Sequence, residues 1–180
     1  MRKSRSNGVT LVELLVVVSI LGIVALVAIP DFSSSNPQTL DLAAEDFANA
    51  MRFARSEALR TGEPHGFKQP MNTKRIKVFR PDTGTSPWTV NFDVYHPISK
   101  KLYSIRMIDH PFADADSVDL DITHRATCNK PNTIHFDNNG IPRCTDPETV
   151  LLEQFNVTLT LGTHTRVVTL HGITGRVTIQ

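Results

Sequence analysis

The feature that most limits the fold of this chain is an apolar run from Val9 to Ile29, broken near its start by the carboxylate of Glu13. About 20 such residues, rising ~1.5 Å each in a helix, cross the ~30 Å hydrocarbon core of a bilayer. The run therefore predicts a membrane-spanning helix. An unpaired carboxylate in such a segment costs roughly 2.5 kcal/mol or more. We therefore expect Glu13 to gain a partner during assembly; the alternative is that it reaches the headgroups from near the helix end.

Three basic residues, Arg2, Lys3 and Arg5, precede the apolar run. Positive charge before a membrane segment holds the N-terminus in the cytoplasm, so the remainder of the chain is expected outside the inner membrane. A secretory signal peptide also has a basic start and an apolar middle. However, no small-x-small cleavage site follows the run, which closes with Ile29-Pro30-Asp31-Phe32. The best processing point lies before the run, at Gly8.

The basic leader, Gly8, Glu13 five residues later, the long apolar stretch and Pro30 together resemble the N-terminus of type IV prepilins and type II secretion pseudopilins. The resemblance implies that a prepilin peptidase cuts after Gly8 and methylates the new amine of Val9, a position at which the family usually has Phe. Val9 and Glu13 are four residues apart, so a helix places the ammonium and the carboxylate on one face. Between subunits, a buried pairing of these two groups would favour one axial offset.

A second helix is predicted after a polar break at residues 31–37, because Asn36 is a suitable N-cap, Pro37 fits the first helical position and Gly62 marks an end. Apolar residues recur at helical spacing on a face expected to pack on a core: Leu40, Ala43, Ala44, Phe47, Met51, Ala54 and Ala58. The opposite face is polar, with Asp41, Glu45, Asn49, Arg52 and Arg60.

The end of this second helix, Arg55-Ser56-Glu57-Ala58-Leu59-Arg60 preceded by Phe53-Ala54, resembles the corresponding segment of the GspH/FimT family of minor pseudopilins and minor pilins. That resemblance implies a low-abundance subunit that initiates or caps a filament.

Short segments of alternating polarity, separated by turn residues, follow from Phe67 onward and predict a β-rich head. The predicted strands are Ile76 to Arg80, Trp88 to Tyr95, Leu102 to Met107, Val118 to Thr123, Thr133 to Asp137, Val150 to Leu161, Thr165 to His171 and Arg176 to Ile179. Turns are expected at residues 82–84, 138–140 and 172–175, the last two joining hairpins. The fold class is therefore α+β, with the second helix packed on an antiparallel sheet.

Two cysteines, Cys128 and Cys144, flank the predicted Asn-Gly turn and can close a loop of about 17 residues by a disulfide worth roughly 3 kcal/mol. A disulfide suits an oxidising periplasm. A metal site is the rival, but it needs more ligands than these two, and no CxxC or HxxxH pattern supplies them. The enclosed loop, residues 129–143, is either a partner-facing element or a stabilised hairpin.

Enzymatic chemistry has little support in this sequence. The chain has no G-x-S-x-G, Walker loop, Rossmann glycine pattern or H-E-x-x-H. Its seven histidines are scattered without the spacing of metal ligands, at positions 65, 96, 110, 124, 135, 164 and 171. The carboxylate pairs Asp114/Asp116 and Asp119/Asp121 fit solvated turns, with a calcium site as an alternative that lacks EF-hand spacing. No cofactor and no metal is expected.

Nucleic acid is the alternative partner, because some members of the FimT branch capture DNA through a Gly-Arg-x-Arg motif near the C-terminus. This chain has Gly175-Arg176-Val177-Thr178, which lacks the second arginine. The whole chain has a net charge of +1, and loss of the leader leaves 16 basic and 18 acidic residues. Phosphate attraction is therefore weak overall, although Arg166, Arg176, His164 and His171 could form a local patch on the last hairpin.

The sequence thus predicts a leader at residues 1–8, a transmembrane and assembly helix at 9–30, a linker and amphipathic helix at 31–62, and a periplasmic head at 63–180. The predicted function is that of a minor pilin or pseudopilin, with DNA uptake as the alternative. Its expected partners are other minor and major pilins or pseudopilins, the prepilin peptidase and the inner-membrane assembly platform.

Overall fold

The computed structural model describes residues 10–27, 37–70, 73–85, 88–106, 120–125, 128–147 and 149–180. The chain divides into two compact units, Met1–Ser33 and Ser34–Gln180. The second helix therefore shares a unit with the strands. The described residues form two helices and ten strands.

The first unit contains helix α1, Leu11–Val27. Thr10 precedes it, and its Oγ1 accepts a hydrogen bond from the backbone N–H of Glu13 at 3.3 Å, as in an N-cap. The large apolar side chains between Leu11 and Val24 are all exposed. Within the described residues, no helix has both the length and the apolar character needed to cross a membrane. Gly8, Val9, Pro30 and Asn36 lie outside the described residues.

Helix α2, Pro37–Thr61, begins at the predicted proline and ends before Gly62. Gly62 has a φ of 71°, and its N–H donates to the carbonyl of Ala58, which is the left-handed helix end that glycine favours. The predicted apolar face is confirmed, since all seven of its residues are buried. The predicted polar face is exposed at each of its five positions.

The strands are antiparallel, and those in the described residues form two sheets instead of one. Their bounds are β1 His65–Lys68, β2 Arg75–Asp82, β3 Thr89–Asn91, β4 Ser104–Arg106, β5 Leu120–Arg125, β6 Thr133–Phe136, β7 Pro142–Cys144, β8 Gln154–Leu161, β9 His164–His171 and β10 Val177–Ile179. The larger sheet has the order β3-β2-β1-β6-β7, with β4 also paired to β2, and the smaller has the order β10-β9-β8-β5.

The core of the head lies between α2 and the two sheets, and it contains large side chains such as Phe47, Phe67, Phe136 and Phe155. The Phe67 ring contacts the rings of Phe136 and Phe155, with centroid distances of 6.3 and 5.4 Å. Full burial of a large apolar side chain is worth roughly 1.5–3 kcal/mol, so these rings and the buried face of α2 stabilise the head together. The α+β architecture predicted from the sequence is confirmed.

Two strands were not predicted. Strand β1 has its first three residues buried and lies between β2 and β6, so it lacks the alternation of a half-exposed strand. Strand β7 begins with Pro142, which is unfavourable in a central strand but tolerated at this edge position. The predicted strand from Trp88 is shorter, at Thr89–Asn91, because only three residues pair with β2.

Candidate assembly sites

The carboxylate of Glu13 lies in the first turn of α1 and is exposed. A negative charge at this position is favoured by the helix dipole. The other polar side chain of the helix, Ser19, has a hydrogen-bond partner within the helix, because its hydroxyl donates to the carbonyl of Leu15 at 2.8 Å. In the described part of α1, by contrast, nothing pairs with the carboxylate of Glu13. The predicted processing residues Gly8 and Val9 lie outside the described residues, so cleavage, methylation and the Val9–Glu13 pair stay predictions.

The disulfide between Cys128 and Cys144 is present, with a Cα–Cα distance of 5.5 Å. Both cysteines are buried in the core cluster of the head. The enclosed segment forms the hairpin β6–β7, in which Ile134 pairs with Cys144 and all four β6 residues are buried. The enclosed loop is therefore a hairpin held by the disulfide, and its turn exposes Asn138 and Asn139.

The β6–β7 turn is organised by the carboxylate of Asp137. Its Oδ1 accepts from the N–H groups of Asn139 and Ile141, at 2.9 and 3.0 Å, and its Oδ2 accepts from Arg143 Nε at 2.9 Å. Partial burial alone would raise the pKa of Asp137, but the hydrogen bonds from Ile141, Arg143 and Asn139 lower it below its ordinary value. Asp137 therefore stays ionised and fixes the turn.

His135, in the middle of β6, is fully buried. Its Nδ1 lies 3.4 Å from Thr145 Oγ1, and its Nε2 has no hydrogen-bond partner among the residues that the structure describes. Desolvation, helped by the nearby charge of Arg143, lowers the pKa of His135 to about 4 against the opposing effect of Asp137. His135 is therefore neutral near pH 7, which agrees with its interpretation as a core residue.

No group of three or more potential metal ligands comes together in the described residues. His110, Asp114, Asp116 and Asp119 lie outside those residues. The calcium alternative for this acidic segment therefore has no described site.

The structure separates the two arginines predicted as DNA contacts. Arg176 is exposed just before β10, and its carbonyl accepts from the N–H of His171. His171 therefore marks the position of Arg176 beside β9. Arg166 lies five residues from His171 along this strand, which is a distance of about 17 Å, and its side chain is on the opposite face. Its Nε donates to Asp41 Oδ1 of α2 at 2.6 Å, so its charge is already paired. The two arginines therefore do not form one basic patch.

Sequence reasoning missed a junction of α2 with two turns. Arg55 Nε donates to the carbonyl of Gly140 in the β6–β7 turn at 3.2 Å. A Cβ at Gly175, in the β9–β10 turn, would lie 2.8 Å from the same Nε and 2.9 Å from that carbonyl oxygen. The sequence indicates both glycines as turn residues. It does not indicate that their two turns, 35 positions apart in the chain, are in contact.

The two parts of the chain match separate family models. Residues 3–29 match the prokaryotic N-terminal methylation motif, and residues 43–174 match the model described as type II transport protein GspH. No curated protein matches the chain.

Two solved structures have the same fold. The type IV minor pilin FimU of Pseudomonas aeruginosa is 14% identical with a TM-score of 0.51, over 79% of this chain and 90% of that one. The minor pseudopilin EpsH from the type 2 secretion system of Vibrio cholerae is 12% identical with a TM-score of 0.52, over 78% of this chain and 94% of that one.

Proposed function

Because this chain belongs to the GspH family of type II transport proteins, we propose that it is processed at Gly8, assembles through Glu13, and initiates or caps its filament. The family match spans most of the chain and identifies a minor pilin or pseudopilin, a structural subunit and not an enzyme. The observation that carries the proposal is the presence in one chain of the methylation motif at residues 3–29 and the GspH match at 43–174.

The motif supports anchoring of the apolar run 9–30 in the inner membrane before assembly. The basic leader keeps the N-terminus cytoplasmic, and the head then lies in the periplasm. The buried disulfide between Cys128 and Cys144 agrees with this location, because disulfides persist in oxidising compartments. The prepilin peptidase and the inner-membrane assembly platform are the partners that this route requires.

The role of Glu13 follows from its position on an otherwise apolar surface. Removal of the leader after Gly8 creates a positive amine at Val9, one helical turn before Glu13. When the helix packs among neighbouring subunits, an exposed carboxylate on α1 must be neutralised or lose its hydration at a large cost. Pairing with the amine of a neighbouring subunit recovers that cost at one axial offset, so assembly and register are coupled.

Processing is tested by replacing Gly8 with leucine. The bulkier side chain should block cleavage, so the full leader is retained and the intact mass of the protein exceeds that of wild type. Gly22→Ala is the matched control, because nothing lies within 4 Å of a Cβ added there. Cleavage of Gly8→Leu at the wild-type level would refute this step.

Assembly is tested by Glu13→Ala, which should reach the membrane but no longer enter the filament or its complex. Ser19→Ala removes a polar group that bonds only within α1, and it should leave incorporation unchanged. Incorporation is measured by immunoblotting of purified filaments and of membrane fractions. Equal incorporation of Glu13→Ala and wild type would exclude the charge-pairing mechanism.

DNA uptake, the alternative function, gains no support from the geometry of the last hairpin. Arg166 is engaged by Asp41, which leaves the exposed Arg176 and its neighbour His171 as the predicted patch residues that lie together in the hairpin. Each phosphate contact contributes to the salt dependence of binding, and one arginine supplies little. The test is an electrophoretic mobility shift of duplex DNA by the full-length protein at about 0.15 M salt. A shift that is lost with Arg176→Ala would support the DNA-binding function.

A further inference from the structure

We infer that the end of the head beside the C-terminus of α2 is a docking surface for the globular head of another filament subunit. This tip surface consists of Leu59, the β6–β7 turn at residues 137–140, and the β9–β10 turn at residues 172–175 with Arg176. The inference rests on the proposed function, since the partner is a neighbour in the same filament. It adds which part of the head makes the contact and what chemistry the partner presents.

The tip surface is fixed in shape by contacts between its parts. Arg55 of α2 binds the Gly140 carbonyl, and Gly175 approaches both of them so closely that a Cβ there would lie within 3 Å of each. Gly172 is held by its N–H bond to the Glu153 carbonyl at 2.9 Å, and a Cβ at Gly172 would clash with the Leu152 carbonyl oxygen. A surface ordered in advance loses little conformational entropy on binding.

Large apolar side chains are exposed on this rigid surface. Ile173 is 91% exposed in a turn where polar residues and glycine are usual. Leu59 is 53% exposed, and its side chain lies 3.1 Å from the Cβ position of Gly140. Gly140 in turn lies against Gly175, which is two residues from Ile173 in the β9–β10 turn. Neighbouring exposed apolar residues on an ordered surface are characteristic of protein interfaces.

One positive charge at the tip surface, that of Arg176, is not paired with a carboxylate in the described part of the chain. Arg60 pairs with Glu57, and Arg143 pairs with Asp137. Arg176 lines a shallow depression together with Glu153 and Ile173. An arginine beside an exposed aliphatic group matches the composition of interface centres. The complementary partner surface is an apolar recess bordered by a carboxylate.

The same features favour a protein over a nucleic acid as the occupant. A phosphate backbone would satisfy Arg176 but would leave Ile173 and Leu59 in contact with water. The location also suits a neighbouring head. The 25 residues of α2 extend for about 37 Å, so the tip surface lies at the opposite end of α2 from Pro37, where the chain enters the head.

The test is photo-crosslinking of the full-length chain in cells that contain its native assembly. A photoreactive phenylalanine derivative replaces Ile173 in one variant and Ile98 in the other. Ile98 is the matched control, because it is an isoleucine 86% exposed on the same head but far along the chain in the loop before β4. We expect an adduct from position 173, absent from position 98, in which mass spectrometry identifies another prepilin-type subunit.

Substitutions then test the contact without a probe. Ile173→Asp should reduce co-isolation with that subunit about tenfold or more, as for a central interface residue, whereas Ile98→Asp should change it less than about twofold. Arg176→Glu should also reduce co-isolation. In the partner subunit, replacing the carboxylate nearest the crosslinked position with lysine should then restore co-isolation with Arg176→Glu. Unchanged thermal unfolding of each variant verifies the fold.

Two outcomes would overturn the inference. Equal crosslinking at positions 173 and 98, or full co-isolation of Ile173→Asp, would show that the tip surface docks no head. An adduct with nucleic acid at position 173 would assign the surface to DNA. These failures differ from failure of the proposed function, in which the wild-type chain itself keeps its leader and enters no filament.

Discussion

The buried, neutral state of His135 predicts that the head loses stability in mild acid. Its pKa is about 4 in the folded head and about 6.5 in an unfolded chain. The unfolded state therefore binds more protons between these values, so the free energy of unfolding falls as pH decreases from about 6.5 towards 4. From the two pKa values, the loss between pH 7 and pH 5 is about 2 kcal/mol.

Urea unfolding of the full-length chain in detergent measures this loss. Trp88 is the one tryptophan of the chain, and its ring lies 4.9 Å from that of His135, so its fluorescence reports unfolding at this site. His135→Gln removes the titrating group, so the variant should lose about 2 kcal/mol less than wild type between the same two pH values. The reasoning is refuted if the stability of His135→Gln and wild type falls equally over that range.

Other predictions concern stability and local packing. Replacement of both Cys128 and Cys144 by alanine frees a loop with a separation of 16 residues and should cost about 3 kcal/mol in urea unfolding; a loss below about 1 kcal/mol would contradict the entropic estimate. Gly172→Ala should lower the unfolding free energy by about 3 kcal/mol, because the new Cβ meets backbone oxygens. Gly84→Ala, whose Cβ meets one flexible carboxylate oxygen at 3.2 Å, is the control and should change stability by less than about 0.5 kcal/mol.

The sequence predicted the helical part of the head closely, because local chemistry determines it. Pro37 sets the first turn of α2, Gly62 ends the helix, and a 3.6-residue period between them selects the buried face. The strands that expose one face were also located, as in β8, where burial alternates along the strand. Each of these signals lies within a window of a few residues.

The missed features depend on contacts between distant parts of the chain. Strand β1 could not be recognised by alternation because it has only four residues and the first three are all buried. The pairing of Arg166 with Asp41 joins residues 125 positions apart, so the sequence suggested a DNA contact where the fold provides an ion pair. Likewise, nothing local indicates that Arg55 reaches the turn of Gly140, 85 positions away.

Processing and assembly are tested most directly by mass spectrometry of the chain isolated with its partners from native membranes. We expect an N-terminus at a methylated Val9 in a complex with other prepilin-type subunits, and their identities would show whether the machine is a secretion system or a pilus. An intact Met1 terminus, with no such subunits bound, would contradict this expectation.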